Sequence, residues 1–204
     1  MSPRPSIYIV DDDEAVRSGL AALLRAKGFA VESFASADAF LTSVPPQPVG
    51  CALVDIRLPR MSGLELQREM KRRAIPLPVI IITGHGDVPV AVAALKAGAV
   101  DFLEKPFDSG AILAAIDEAL KLALAPGGLP PDRETLAERV AQLTPREREV
   151  MDLVVEGQPN KAIAHRLKIA LRTVEIHRAR VMEKTGARNL SELVRMAIRL
   201  NGGT

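Results

Sequence analysis

What this chain has little of narrows its class first. A single cysteine, Cys51, in 204 residues excludes an internal disulfide framework. It lies in the apolar run CALV and reads as a small core residue. No apolar stretch is long enough to cross a bilayer, and the opening MSPRPSIYIVDDDE carries no signal-peptide pattern, so a reducing cytoplasm is the expected compartment. There is no internal repeat and no low-complexity tract. What remains is globular sequence with 48% hydrophobic residues, enough to build a core and long enough for one large or two small domains.

Neither sign of charge dominates, the net charge being +2, but the charge is unevenly placed. Residues 1–124 hold 13 Lys and Arg against 15 Asp and Glu, whereas residues 125–204 hold 14 against 10. From Gly157 onward the balance is 10 against 3. A basic end beside an acidic first half points to a polyanion partner for the end of the chain.

The punctuation divides the chain in the same place. Ala125 to Pro131 has five Pro or Gly in seven residues and reads as a linker. Before it, strand and helix patterns alternate five times, with candidate strands at Ile7–Val10, Ala30–Phe34, Ala52–Val54, Val79–Ile82 and Phe102–Leu103. Val16, Leu20, Leu23 and Leu24 share one helical face, and Gly28 ends that helix as a C-terminal cap. Five such units predict one doubly wound α/β domain. After the linker no strand pattern persists. A helix is expected from Asp132 to Gln142. Thr144-Pro145-Arg146-Glu147 is a capping box with proline at the first helical position, opening a helix that stops at Gly157. Asn160 can cap a short helix through Leu167. A turn leads to Thr173, from which a helix runs to about Lys184, and Asn189 or Ser191 opens the last one. Two short helices joined by a tight turn inside a small bundle describe a helix-turn-helix.

Chemistry gathers at the predicted strand ends. Asp11, Asp12 and Asp13 follow the first strand, Asp55 the third, Thr83 ends the fourth, and Lys105-Pro106 follow the fifth. A parallel sheet brings those ends to one edge, where ligands bind. Crowded carboxylates suit a hard divalent cation, and magnesium takes one or two carboxylates together with water and phosphate oxygens. A carboxylate so neutralised can attack phosphorus and form an aspartyl phosphate. Lys105 supplies a point charge for the phosphoryl group and Thr83 a hydroxyl. Singly, each residue has an ordinary alternative: Asp12 or Asp13 as a helix cap, Asp55 as a loop acid, Lys105 as a surface lysine. It is their joint placement on separate strand ends that carries the reading.

The segments IVDDDEAVR, LVDIRLPRMSG, IIITGHGDV and DFLEKPF, in that order over roughly residues 5 to 123, resemble the receiver domain of two-component response regulators, which has the CheY-like fold. The resemblance implies that Asp55 is the phosphoacceptor. It implies that Asp12, Asp55 and the Arg57 backbone carbonyl bind magnesium with Asp11 in support. Thr83 and Lys105 would contact the phosphoryl group, Phe102 would be the aromatic switch, and a cis bond often precedes the matching proline, Pro106. The stretch from His85 to Phe107 resembles the FixJ branch, in which phosphorylation reshapes the fourth helix and fifth strand into a dimer surface, here Val88 to Lys96 and Val100 to Phe102.

In the second half, TVEIHRARVMEK places Ile176, Arg180 and Lys184 along one helical stripe, with His177 and Val181 beside it. A helix of this kind fits the major groove of DNA, where arginine reads guanine. Thr173 and Lys161, Arg166, Arg172 and Arg188 are candidate phosphate contacts, and Arg178 is a further candidate on the helix. LTPREREVMDLVVEGQPNKAIAHRL followed by RTVEIHRARVMEKTGARNLSELVRMAI closely resembles the LuxR-type (FixJ/NarL) DNA-binding domain over roughly residues 139 to 199. Many members carry lysine where this chain has Glu175, which can accept from cytosine N4, and many have a serine cap where this chain reads KIAL.

The expected architecture is therefore a doubly wound (βα)5 receiver over 1–124, a linker with the start of a helix over 125–138, and a four-helix DNA-binding domain over 139–204. The expected role is a phosphorylation-dependent transcription regulator, not a turnover enzyme. The resemblance further implies magnesium, a sensor histidine kinase, promoter DNA, a phosphorylation-driven homodimer and RNA polymerase as partners, and activation rather than repression. Two rivals are a phosphatase working through an aspartyl phosphate and a helical module that binds protein instead of DNA. Such phosphatases carry a second Asp two residues after the nucleophile, whereas Asp55 is followed by Ile56 and Arg57.

Overall fold

The computed structural model describes residues 5–84, 88–124 and 133–201. The linker read at 125–131, and His85 to Asp87, lie outside the described residues. By packing, the chain separates into two compact units, Met1–Gly86 with Ala97–Gly128, and Asp87–Lys96 with Leu129–Thr204.

The first unit is built on strands β1 (Ser6–Val10), β2 (Ala30–Phe34), β3 (Gly50–Asp55), β4 (Val79–Thr83) and β5 (Asp101–Glu104). They are alternated with helices α1 (Glu14–Ala26), α2 (Ala37–Ser43), α3 (Gly63–Arg72), α4 (Val88–Lys96) and α5 (Ser109–Leu124), α4 being grouped with the second unit. All described pairings are parallel, in the order β2-β1-β3-β4-β5. The order reverses direction between β1 and β3, and a ligand crevice is expected outside the carboxyl ends of those two strands.

The apolar runs are continuous in the central strands because both sheet faces are covered. Every residue of β3 and β4 is buried. Ile7, Ile9, Leu53, Ile80 and Ile82 point to one face and pack with Leu20 and Leu24 of α1 and Ile112 and Ile116 of α5. Tyr8 points to the other, its ring edge-on to Phe40, which also meets Phe34. β2, at the edge, carries the exposed polar pair Glu32 and Ser33.

Helix starts follow the capping chemistry of the sequence. Asp13 is the N-cap of α1, accepting from the amides of Ala15 and Val16, and Gly28 takes the left-handed conformation just past the helix end. Ser62 and Glu65 form a reciprocal capping box on α3. Gly63 is required sterically, since a Cβ there would sit 2.4 Å from the Asp55 carbonyl oxygen.

The rest of the second unit is helical: α6 (Arg133–Ala141), α7 (Pro145–Val155), α8 (Asn160–Leu167), α9 (Leu171–Thr185) and α10 (Leu190–Leu200). Its core joins Leu136, Val150, Val154, Ile163, Val174, Val181, Leu193 and Ala197 from all five helices. The Thr144–Glu147 capping box and Pro145 open α7 as the sequence predicts, and Asn189 caps α10. Two boundaries differ from expectation. Asn160 does not cap α8: Pro159 holds the cap position and the Asn160 side chain bonds elsewhere. α9 begins at Leu171 instead of Thr173, after Ala170, which offers no side-chain cap.

Candidate functional site

The carboxyl edge of the sheet gathers the residues that the sequence placed at strand ends. Lys105 follows β5, and its ammonium donates to Asp11 Oδ2 and Asp55 Oδ1, each at 2.6 Å. The second oxygen of Asp55 accepts from the Arg57 amide at 2.6 Å, and that of Asp11 from the Asp13 amide at 2.9 Å. Asp11, Asp55 and Thr83 are buried, whereas Asp12 is exposed. Phe102, half-buried, lies one strand over on β5. The Lys105 amide donates to the Thr83 carbonyl at 2.6 Å and the Lys105–Pro106 bond is cis, as the resemblance implied.

Burial is the largest influence on these charges. It pushes the Asp11 carboxyl above its ordinary value even though Lys105 and the Asp13 amide oppose this. Burial also works against the Lys105 ammonium, but hydrogen bonds from it to Asp11 and Asp55 outweigh burial and leave its pKa raised. The pocket is thus a pair of partly desolvated carboxylates held ready by one cation. Among the described residues no three acidic, histidine or cysteine side chains form a metal cage. The two buried carboxylates at this edge, Asp11 and Asp55, are a donor set of the kind magnesium takes, one or two carboxylates plus water and phosphate oxygens.

One contributor escaped the sequence reading. Arg17, one turn into α1, donates from its guanidinium to the Asp11 backbone carbonyl at 2.8 Å. Its spacing of six residues from Asp11 was the available signal, but only the path of the chain from β1 into α1 turns that spacing into a contact.

In the helical unit, the predicted DNA contacts separate into two groups. Lys161, Arg172, Glu175 and Arg180 are exposed, with Arg172 and Glu175 loosely paired at 3.8 Å. Thr173 is half-buried, and its amide bonds the Ala170 carbonyl. Arg166 and Arg188 are exposed and paired with Glu156 and Glu192. The others turn inward. Arg178 is half-buried and donates to the Asn160 side chain, tying α9 to the start of α8, and burial lowers its pKa. Lys184 donates to Glu147 at 2.6 Å and to the Gln142 carbonyl at 3.3 Å. The Glu147 carboxyl is 1% exposed, and the Lys184 ammonium with the Thr144 amide holds its pKa down at about 2. Val181 is core, and His177 is half-buried with Nδ1 buried and unbonded.

The stripe expected through Ile176, Arg180 and Lys184 is therefore rotated. The exposed face of α9 runs through Arg172, Glu175, Ile176, Ala179, Arg180 and Glu183. Two more cations act as internal caps: Arg146 donates to the last carbonyl of α8, Leu167, and Arg139 to the last of α9, Thr185. Counting basic residues from the sequence overstated the cations left for a polyanion.

A charge-lined crevice at the switch point of a parallel sheet, joined to a basic helix-turn-helix, defines a class: a receiver coupled to a DNA-binding unit. Comparison with known proteins agrees. Residues 7–117 match the family described as "Response regulator receiver domain" and residues 141–197 that described as "Bacterial regulatory proteins, luxR family". The chain is 46% identical over 199 residues to the transcriptional regulatory protein FixJ of Bradyrhizobium diazoefficiens, covering 98% of this chain and 97% of that one. It is 49% identical over 193 residues to FixJ of Rhizobium meliloti, covering 95% of each. A crystal structure of full-length FixJ from B. japonicum matches with a TM-score of 0.58 at 46% identity and 98% coverage of both chains. The chain belongs to the response regulators of FixJ type, transcription regulators with a receiver and a LuxR-type DNA-binding domain. No helix among the described residues is long and apolar enough to cross a membrane.

Proposed function

We propose that Asp55 accepts a phosphoryl group from a sensor histidine kinase and that this switches promoter binding by the helix-turn-helix. The observation that carries the reading is the joint engagement of Asp55: one oxygen on Lys105, the other on the Arg57 amide, beside the buried Asp11. The arrangement orients the carboxylate and confines its charge. In the transfer, an Asp55 oxygen forms a bond to phosphorus as the phosphorus–nitrogen bond of the donor phosphohistidine breaks, and the electron pair leaves with the imidazole. Lys105 then follows the negative charge onto the phosphoryl oxygens, and Thr83 donates its hydroxyl to them. Asp12, Asp55 and the Arg57 carbonyl, with Asp11 in support, would hold magnesium, which would supply charge neutralisation for the incoming phosphoryl group.

An acyl phosphate shifts an equilibrium only by binding one conformation better. Thr83 and Phe102 are the residues that move toward the pocket, and the face of α4 and β5 becomes the self-complementary surface of a homodimer. A two-fold dimer presents two copies of α9 to adjacent half-sites. Lys161, Arg172, Thr173 and Arg180 contact phosphates or guanine, His177 lies at the margin of the interface, and Glu175 accepts from cytosine N4. Arg178 and Lys184 hold α9 in place. The protein works in the cytoplasm and activates transcription together with RNA polymerase.

The test is solution mass with and without beryllofluoride and magnesium, which stand in for the phosphoryl group, on wild type and Asp55→Asn. Dimerisation of the wild type alone supports the switch. A wild type that stays monomeric refutes dimerisation as the output.

A further inference from the structure

The turn from β1 into α1 carries three adjacent carboxylates, Asp11, Asp12 and Asp13, with Glu14 next. Asp11 is buried and bonded to Lys105, and Asp13 caps α1. Asp12 is exposed. The direction in which it presents its carboxylate is set by the two peptide units that flank it, because the backbone has only two soft torsions per residue. The unit after it is pinned by the Asp13 amide, which donates to Asp11 Oδ1 at 2.9 Å. The unit before it carries the Asp11 carbonyl, which accepts from the Arg17 guanidinium at 2.8 Å.

Arg17 grips this turn twice. Its amide makes an early bond of α1, to the Asp13 carbonyl at 3.0 Å, while its side chain reaches back past Asp12 to Asp11. The side chain is half-buried and makes no ion pair among the described residues, although Asp12, Asp13 and Glu14 are exposed close by in sequence. Charge alone would put an arginine set among acids onto a carboxylate. This one is spent on a neutral carbonyl, with a charged donor whose bond is roughly twice as strong as a neutral one. Arg25, in the last turn of the same helix, makes a bond of the same kind away from the pocket, to the Val31 carbonyl at 3.2 Å.

We propose that Arg17 is a positioning residue of the phosphoacceptor site, fixing the Asp11 carbonyl and through it the direction in which Asp12 offers its carboxylate to a divalent cation. The inference rests on the magnesium-assisted reading of the pocket given above. Arg17 touches no reacting atom and acts through the peptide unit between Asp11 and Asp12. Groups that orient a metal ligand from outside are worth about 10–100-fold in affinity, and a single carbonyl clamp belongs at the lower end, about tenfold. Its charge acts the other way. Removing a cation beside the site favours a dication, whereas releasing Asp12 disfavours it. The sign of the effect therefore separates position from charge.

The test titrates Mg2+ into the full chain, followed by the amide NMR signals of Asp11 to Asp13, for wild type, Arg17→Met and Arg25→Met. Folded-state signals report the affinity of folded molecules, so any loss of stability does not enter it. Arg17→Met is expected to bind Mg2+ about tenfold more weakly, while Arg25→Met matches wild type. With acetyl phosphate as donor, the Mg2+ concentration for half-maximal phosphorylation rises by the same factor in Arg17→Met, and the rate at saturating Mg2+ returns close to wild type. Equal or tighter Mg2+ binding by Arg17→Met overturns the inference and leaves the pocket reading standing. A loss shared equally by Arg25→Met also overturns it, assigning the effect to the general stability of α1. A wild type with no affinity for Mg2+ removes both.

Discussion

Replacing Lys105 by methionine isolates the electrostatics of the receiver pocket. Methionine keeps an unbranched side chain of similar size and removes the charge. The Lys105 side chain is 20% exposed, while those of Asp11 and Asp55 are 1% and 7% exposed. The variant leaves two desolvated carboxylates sharing one crevice without their common cation. Removing one partner of a buried ion pair costs about 3–5 kcal/mol. Water reaches the lysine end of this pocket, and screening there reduces the cost to about 2–3 kcal/mol. For a domain of this size 1 kcal/mol corresponds to roughly 3–5 °C, so the receiver transition falls by about 10 °C.

The loss depends on pH with a definite sign. Burial already holds the Asp11 carboxyl above its ordinary 3.8, and without Lys105 it rises further. A carboxyl raised in the folded state is a liability that is absent below its unfolded value and grows as pH climbs past it. Lys105 itself is raised above 10.5 in the folded protein, so the stabilisation it gives persists across the neutral range and is lost only as pH rises through that raised value. The gap between wild type and Lys105→Met is therefore small near pH 4 and widest near pH 7. Calorimetry of the full chain, at low salt and without divalent cation, reads it. Equal melting temperatures at pH 7 would refute the reasoning. A gap of the same size at both pH values would assign the loss to packing instead of charge.

Three further outcomes follow from named contacts. Glu147, held from an ordinary 4.5 to about 2 by Lys184 and the Thr144 cap, stabilises the helical unit fully above pH 4.5 and loses that effect as pH falls through about 2. An acid titration of stability should show this limb in wild type and not in Glu147→Gln, and a flat wild-type curve over that window contradicts it. Gly63→Ala puts a methyl 2.4 Å from the Asp55 carbonyl, so α3 must shift. A destabilisation of about 1–3 kcal/mol is expected, with a larger fractional loss in phosphorylation rate than in fraction folded. An unaltered rate with acetyl phosphate argues against a link from α3 to the acceptor. Arg178→Met removes the bond from α9 to Asn160. A stability loss of about 1–2 kcal/mol is expected, with weaker DNA binding and an unchanged salt slope, whereas a slope reduced by about one would make Arg178 a phosphate contact.

The alternation of apolar runs with helical faces, the Pro- and Gly-rich break and the capping boxes are local patterns, and local patterns survive in a linear sequence. They were enough to place five parallel strands within about two residues of their ends, to put Asp11, Asp55, Thr83 and Lys105 at one edge, and to mark the cap at Thr144. The topology of a parallel sheet does the rest, because strands that all run the same way leave their carboxyl ends on one side. What the sequence could not assign was the partner of each cation. Arg17, Arg139, Arg146, Arg178 and Lys184 look alike on a helical wheel. Each is committed to a carbonyl, an amide or a carboxylate that is 6 to 46 residues away in the chain. The same holds for the face of α9, where the expected stripe ran through Lys184 and the true one passes Ile176, Ala179 and Glu183. A helix has only one solvent face, but which one is decided by the neighbours that bury the other. Sequence periodicity thus placed the strands, the helices and the charged residues at the strand ends. Packing alone decided which of those charges, and of the cations along the helices, are spent inside the protein and which stay exposed.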